Sequence, residues 1–370
     1  MLKSKKPKKR GKTWWPFILI LILLTGCGAP AAREEESGRL QVITTIFPQY
    51  DFVRQIAGGQ ADVRMLLKPG EEIHSYEPTP QDIRDIQNCD LFICVGGEND
   101  VWVEEILEAM GEEAPETLRL MDMVEVYSEE TVEGMQEEKG AHEHGHDHEE
   151  DHDHETEGHD HEEDHAHEAE GHDHEEDHAH EAEGHDHEED HDHEEEADEH
   201  VWTSPVNATV ITARIAEAME DKDPENAALY RENAKAYIGE LKRLDDSFRR
   251  LTESAVRRTL VFGDRFPLRY FAEEYGLDYY AAFPGCSADC EPSAATMAFL
   301  INKVRQEQIP VVFCIEFSNG NIARAICETT GAVPMTFYSC HNVTADQMKA
   351  GVTYIDMMED NLLVLEKALY

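Results

Sequence analysis

Four near-copies of one 13-residue unit cut this chain in two. Residues 145–157, 158–170, 171–183 and 184–196 all follow the pattern GHDHEEDHAHEAE. A repeat that folds as a solenoid stacks an apolar face against its neighbours. This unit has nothing apolar beyond alanine, so it cannot bury enough surface to offset the entropy of ordering the chain. Disorder is therefore expected over 140–198, and any core must be built from the flanking sequence. Between Gly140 and His200 stand 30 Asp or Glu and no Lys or Arg; without those acids the net charge falls from −48 to −18. That remainder is acidic, and basic clustering is confined to the first twelve residues. Nucleic acid is thus excluded as a partner.

Lys3, Lys5, Lys6, Lys8, Lys9, Arg10 and Lys12 precede an apolar run, 14–24. The run is shorter than the roughly 20 residues needed to span a bilayer. A basic start followed by a short apolar stretch reads as a secretory signal. It ends in Leu24-Thr25-Gly26-Cys27, the form of a bacterial lipoprotein cleavage box. The expectation is a signal peptide over 1–26, acylation of Cys27, and a tether over 27–39. The mature chain would then sit on the outer face of the cell membrane.

From Leu40 onward, short β-rich runs alternate with helical stretches. Strands are predicted at 41–45, 62–67 and 91–95, with helices at 50–57, 80–87 and 101–110. After the acidic block, a helical tract at 207–257 bends near Asp223-Pro224. Beyond it the alternation returns, with strands at 259–262, 279–283, 310–315 and 335–338 and helices at 266–275, 293–306, 321–330 and 345–368. Such alternation implies parallel sheets flanked by helices. The predicted fold class is α/β, with two lobes of this kind, 40–206 and 258–370, joined by one long rigid helix. Of the eight cysteines, Cys89, Cys94, Cys314 and Cys327 lie in apolar contexts, while Cys286, Cys290 and Cys340 lie in polar loops. One disulfide among the last three is expected outside the cytoplasm.

Only three of the 21 histidines lie outside the acidic block: His74, His200 and His341. Each stands in a loop at the end of a predicted element. Imidazole nitrogen is a good ligand for Zn²⁺, which accepts four N, S or O donors. His74 sits in PGEEIHSYEPTP (69–80) and His200 in DEHVWTSP (198–205). These two segments, with the α/β halves and a His-rich acidic insert between them, resemble the zinc/manganese substrate-binding lipoproteins of ABC importers. The resemblance covers nearly all of 40–370. It implies a metal in the cleft between the lobes, an ABC permease and its ATPase subunit as partners, and a monomer that binds without catalysing a reaction.

The resemblance matches His74 and His200 to the two N-terminal ligands, and His341 to the last ligand, in the loop before the final helix. The third ligand departs from the family pattern, because its expected position falls near Gly263 in Phe262-Gly263-Asp264-Arg265-Phe266. Asp264 is an oxygen ligand in its place or the partner of Arg265 or Arg269; water and Cys340 are the other occupants of the fourth position. Glu77, Asp198 and Glu199 are candidates to orient imidazoles, Trp202 to pack beneath the ligand loop, and Glu316 to be a structural acid. Three nitrogens favour zinc over manganese, which prefers oxygen. Two alternatives stay open, an exported zinc-dependent hydrolase and a surface metal buffer or adhesin without a transport partner. Against the hydrolase, HExxH occurs only inside the acidic block, at 142–146, 148–152, 161–165, 174–178 and 187–191, where no helix is expected to carry it, and Gly-x-Ser-x-Gly does not occur.

Overall fold

The computed structural model describes residues 38–72, 76–135, 196–287 and 291–370. Its first sheet comes from β1 (Leu40–Thr44), β2 (Ala61–Met65), β3 (Leu91–Cys94) and β4 (Glu116–Arg119), in the order β2-β1-β3-β4. The second comes from β5 (Thr259–Phe266), β6 (Asp278–Pro284), β7 (Val311–Cys314) and β8 (Val333–Thr336), in the matching order β6-β5-β7-β8. All pairings between these strands are parallel. Strand β3 is buried at every position, as expected of a strand covered on both faces. β4 was not foreseen. Its sequence, Glu-Thr-Leu-Arg, lacks the apolar run that marks its neighbours, and it is only partly buried.

Helices α1 (Phe47–Ala57), α2 (Pro80–Gln87) and α3 (Val101–Met110) connect the first sheet. Thr79 caps α2, its hydroxyl accepting from the Asp82 N–H while the Asp82 carboxylate returns to the Thr79 backbone. The helical tract after the acidic block is two helices, α4 (Pro205–Lys222) and α5 (Ala227–Glu253). Pro224 has no N–H to continue the ladder. The Asp223 carboxylate fixes the corner by accepting from Asn226 Nδ2 and Tyr230 Oη, both at 2.7 Å. Helix α5 alone is 27 residues long and supplies the lobe-spanning element. In the second lobe α6 (Arg269–Tyr275), α7 (Ala294–Glu307) and α8 (Asn321–Thr330) are followed by α9 (Ala345–Ala350) and α10 (Tyr354–Leu369). Gly351 closes α9 in the left-handed conformation, so the single terminal helix expected over 345–368 is two.

One contiguous core runs through both lobes, taking Phe52 from α1, Tyr237 and Leu241 from α5, and Tyr354 and Met357 from α10. Its polar centre is Asp51, which is fully buried. The Asp51 carboxylate accepts from Arg54 Nη2 at 2.6 Å, Gln55 Nε2 at 3.0 Å, Tyr237 Oη at 3.2 Å and the Tyr354 N–H at 2.8 Å. Three helices from distant parts of the chain are thus tied at one carboxylate. Smaller apolar clusters cover the outer face of each sheet.

The acidic block is framed by ordered chain. Ser128 and Ala197 form an antiparallel bridge, the Glu129 N–H donates to Glu196 O at 2.7 Å, and the Asp198 N–H donates to Tyr127 O at 2.9 Å. The disordered segment expected over 140–198 therefore ends before Glu196, because residues 196–198 carry the edge that leads into the His200 loop. The disorder expected upstream of Glu196, the signal, the tether and Cys27 all lie outside the described residues.

Candidate metal centre

In parallel sheets, ligands gather beyond the carboxyl ends of the strands, where connections diverge to either side. Five segments meet there in this chain: Glu72 after β2, Asp264 and Arg265 at the end of β5, Gly285 and Cys286 after β6, Glu316 after β7, and Ser339 to His341 after β8. His200 enters from the loop before α4. His74 lies outside the described residues.

His200 is 4% exposed and Asp198 is 1% exposed. Asp198 Oδ1 accepts from the His200 backbone N–H at 2.8 Å and lies 3.1 Å from His200 Nδ1. Burial alone would lower the proton affinity of this imidazole. The Asp198 carboxylate, joined by Cys286, outweighs burial and raises it well above the ordinary histidine value. Tyr270 of α6 holds the loop from beneath, its hydroxyl donating to Asp198 O at 2.6 Å. Trp202 is fully buried beside the imidazole, with ring centroids 5.4 Å apart, as expected of a packing residue. Its indole Nε1 donates to Ser339 O at 2.8 Å. That bond ties the His200 loop directly to the loop of His341.

His341 is held in a parallel manner. Its Nδ1 lies 2.8 Å from Ser339 Oγ, and Ser339 Oγ donates to Glu316 Oε1 at 2.9 Å. Glu316 also accepts the Ser339 N–H at 2.7 Å. Against the upward push of burial, His341 and Ser339 hold the Glu316 carboxyl below the usual glutamate range. This relay assigns Nδ1 as the donor, which leaves Nε2 with a lone pair. Nε2 is buried and has no hydrogen-bond partner among the described residues. It faces Glu72 Oε1 at 3.7 Å, and the same oxygen pairs with Arg265 Nη2 at 3.2 Å. Across the lobes, Asn342 Nδ2 donates to Lys68 O at 2.8 Å and Glu71 O at 2.7 Å, which fixes the loop that carries Glu72.

Asp264 does not join these histidines. The register of β5 against β6 breaks between Phe262 and Arg265. Such a bulge re-aims the side chains that follow it. Here it turns Asp264 inward, where its carboxylate accepts from the Arg265 N–H at 2.9 Å and the Ile315 N–H at 3.2 Å and bonds the Ser318 side chain. Burial raises the Asp264 carboxyl above its usual range, with those bonds and Arg265 opposing. Arg265 turns instead to Glu72, and Arg269 pairs with Glu130 at 3.3 Å and Glu273 at 3.2 Å. At Gly263 a Cβ would lie 2.5 Å from Ala323 Cα, so no ligand side chain fits there.

Cysteines 286 and 340 are both free thiols, so no bond joins them; Cys290 lies outside the described residues. Cys340 is fully buried, with its Sγ 3.9 Å from Tyr338 O, and burial drives its pKa well up. Cys286 instead stands beside His200, next to Gly285, where a Cβ would lie 3.4 Å from His200 Cε1. Sequence reasoning passed over Glu72, Arg265, Cys286 and Ser339 as members of this cleft. The only signal for them was position, since each closely follows or ends a strand. Among the described residues, no three His, Cys, Asp or Glu side chains already surround one point.

The family model of the zinc-uptake complex component A, periplasmic, matches residues 42–368. The chain belongs to this family. It is 28% identical over 350 residues to the zinc-binding lipoprotein AdcA of Streptococcus pneumoniae, covering 94% of this chain and 59% of that protein. It is 28% identical over 364 residues to the high-affinity zinc uptake system protein ZnuA of Bacillus subtilis, covering 97% of this chain and 98% of that one. This family member therefore spans little more than half of the first relative and nearly all of the second. Its fold matches the crystal structure of the Zn(II)-bound ZnuA-like domain of S. pneumoniae AdcA, with a TM-score of 0.64 at 24% identity over 90% of this chain and 99% of that one. The family fold and the two-lobed α/β architecture expected from sequence agree.

Proposed function

We propose that this chain captures a zinc ion between its lobes and delivers it to an ABC-type importer, made of a permease and an ATPase subunit. In this reading it is a monomeric binding protein, held on the outer face of the membrane through acylated Cys27, and it carries out no reaction. The ion is the cargo, and His74, His200 and His341 are its protein ligands. Asp264 keeps its role of joining the ends of β5 and β7.

The observation that carries the reading is the Nε2 atom of His341, buried without a hydrogen-bond partner among the described residues while Ser339 and Glu316 hold Nδ1. A buried polar atom left unpaired costs about 1–3 kcal/mol. A divalent metal would satisfy it. His200 has the same design, an imidazole fixed at Nδ1 by an acid. Such outer acids orient the metal-binding nitrogen and raise its basicity. Nitrogen donors favour zinc over manganese.

The acidic block gathers zinc weakly and passes it to the cleft in this reading, its many imidazoles raising the local concentration of donors. Zinc titration followed by calorimetry tests the main claim. One tight site should be lost in His200→Ala and in His341→Ala, while weaker sites persist. Retention of the tight site in both variants would refute it.

A further inference from the structure

We propose that the thiol of Cys286 is a metal ligand in this cleft, so that the ion is held by nitrogen and sulfur together. This inference rests on the zinc-capture reading above.

Three observations support it. First, Cys286 adjoins His200: a Cβ on the preceding residue, Gly285, would lie 3.4 Å from His200 Cε1, and the Cys286 thiol and the imidazole interact. Two donors on one tetrahedral zinc, at about 2.0 Å for nitrogen and 2.3 Å for sulfur, stand roughly 3.5 Å apart. Two side chains on adjoining loops, as these are, can come to that spacing around one ion.

Second, the backbone is built to hold the thiol there. The Cys286 N–H donates to Glu129 Oε1 at 2.8 Å, and Glu129 belongs to the same short bridge that positions Asp198 and the His200 loop. Before it comes Gly285, where a Cβ would lie 2.9 Å from Phe266 O and 3.4 Å from His200 Cε1. The Phe266 carbonyl leaves room only for a glycine here, and that close packing brings the chain beside the imidazole. Ser287 O, just beyond, accepts from Arg265 Nη1 at 3.4 Å.

Third, a buried ring nitrogen with no hydrogen-bond partner among the described residues faces the same cleft, that of His341. Arg265 joins Ser287 to Glu72, and Glu72 faces His341 Nε2. His341 is 3% exposed, and that nitrogen has no hydrogen-bond partner among the described residues. The inward turn of Asp264 leaves a place for another donor, and Cys286 is the side chain beside His200 that can fill it.

On binding, Cys286 gives its proton to water and its thiolate bonds the metal. Sulfur donation would favour zinc and other thiophilic ions and disfavour manganese.

The test is the full chain loaded with one equivalent of cobalt(II), read by absorption spectroscopy. A sulfur-to-cobalt charge-transfer band should accompany the visible bands of four-coordinate cobalt. Cys286→Ser should lose the charge-transfer band, keep the visible bands, and bind zinc at least tenfold more weakly. Cys290→Ser should keep both sets of bands. Visible bands without charge transfer in the parent chain, or charge transfer that survives Cys286→Ser, would overturn the thiolate while leaving a histidine site intact. Visible bands indifferent to both His200→Ala and His341→Ala would sink the cleft site, and this inference with it.

Discussion

Replacing Asp198 with asparagine isolates the contribution of a single charge to metal capture. Asp198 Oδ1 meets both the backbone N–H and Nδ1 of His200, at 2.8 and 3.1 Å. Asparagine can place its carbonyl oxygen at the same point, so the loop and the imidazole each keep an acceptor. What disappears is the negative charge that makes the ring a better donor to a cation. Removing an outer acid of this type costs about 10–100-fold in metal affinity. That range corresponds to about 1.4–2.8 kcal/mol. The assay is competition with a fluorescent zinc chelator at neutral pH, in a chain lacking 136–195 so that the cleft site is read alone. Thermal melting without metal serves as the control and should change little. Unchanged affinity, or a loss accompanied by an equal loss of stability in the metal-free protein, would refute the idea that Asp198 works through His200.

Four further outcomes are expected. Asp51→Ala strips a buried carboxylate of its bonds to three helices and should cost about 3–5 kcal/mol in urea unfolding. Asp100 is buried, its carboxylate accepting from the Val95 and Gly96 N–H groups, and burial pushes its pKa from 3.8 up to about 6. A raised carboxyl stabilises the fold below pH 3.8 and loses that contribution as pH rises through about 6. Asp100→Asn should therefore raise the melting temperature above that pH, by an amount equivalent to about 3 kcal/mol, and change little in acid. Gly263→Ala forces a methyl against Ala323 and should destabilise by about 1–3 kcal/mol, read by chemical unfolding. Deleting 136–195 should reduce the zinc ions bound per chain while retaining the tight one, as counted by equilibrium dialysis.

Much of the architecture was legible because its signals are periodic and local. The apolar run of Leu91 to Cys94, the Thr79 cap and the break at Asp223-Pro224 each declare a boundary through one or two residues. β4 was hidden because its residues carry no apolar pattern, and the final helix concealed the turn at Gly351. For the site, histidine scarcity outside the acidic block drew attention to His200 and His341, and loop placement explained why. Asp264 misled, since a bulge decides which way its carboxylate points, and bulges leave little mark on composition. The relay from His341 through Ser339 ends on Glu316, 23 residues before Ser339 in sequence. Nothing local to Glu316 announces the other two.

The junction at Asp51 has a mechanical consequence. Swinging one lobe away from the other would pull the Tyr354 N–H and the Tyr237 hydroxyl off a fully buried carboxylate. It would also part the rings of Phe52 and Tyr354, now 5.2 Å between centroids. Each of those losses falls in the buried spine of the molecule. On the proposed function, cargo exchange is left to the loops at the strand ends, and a docking permease would have to loosen only those to set the ion free.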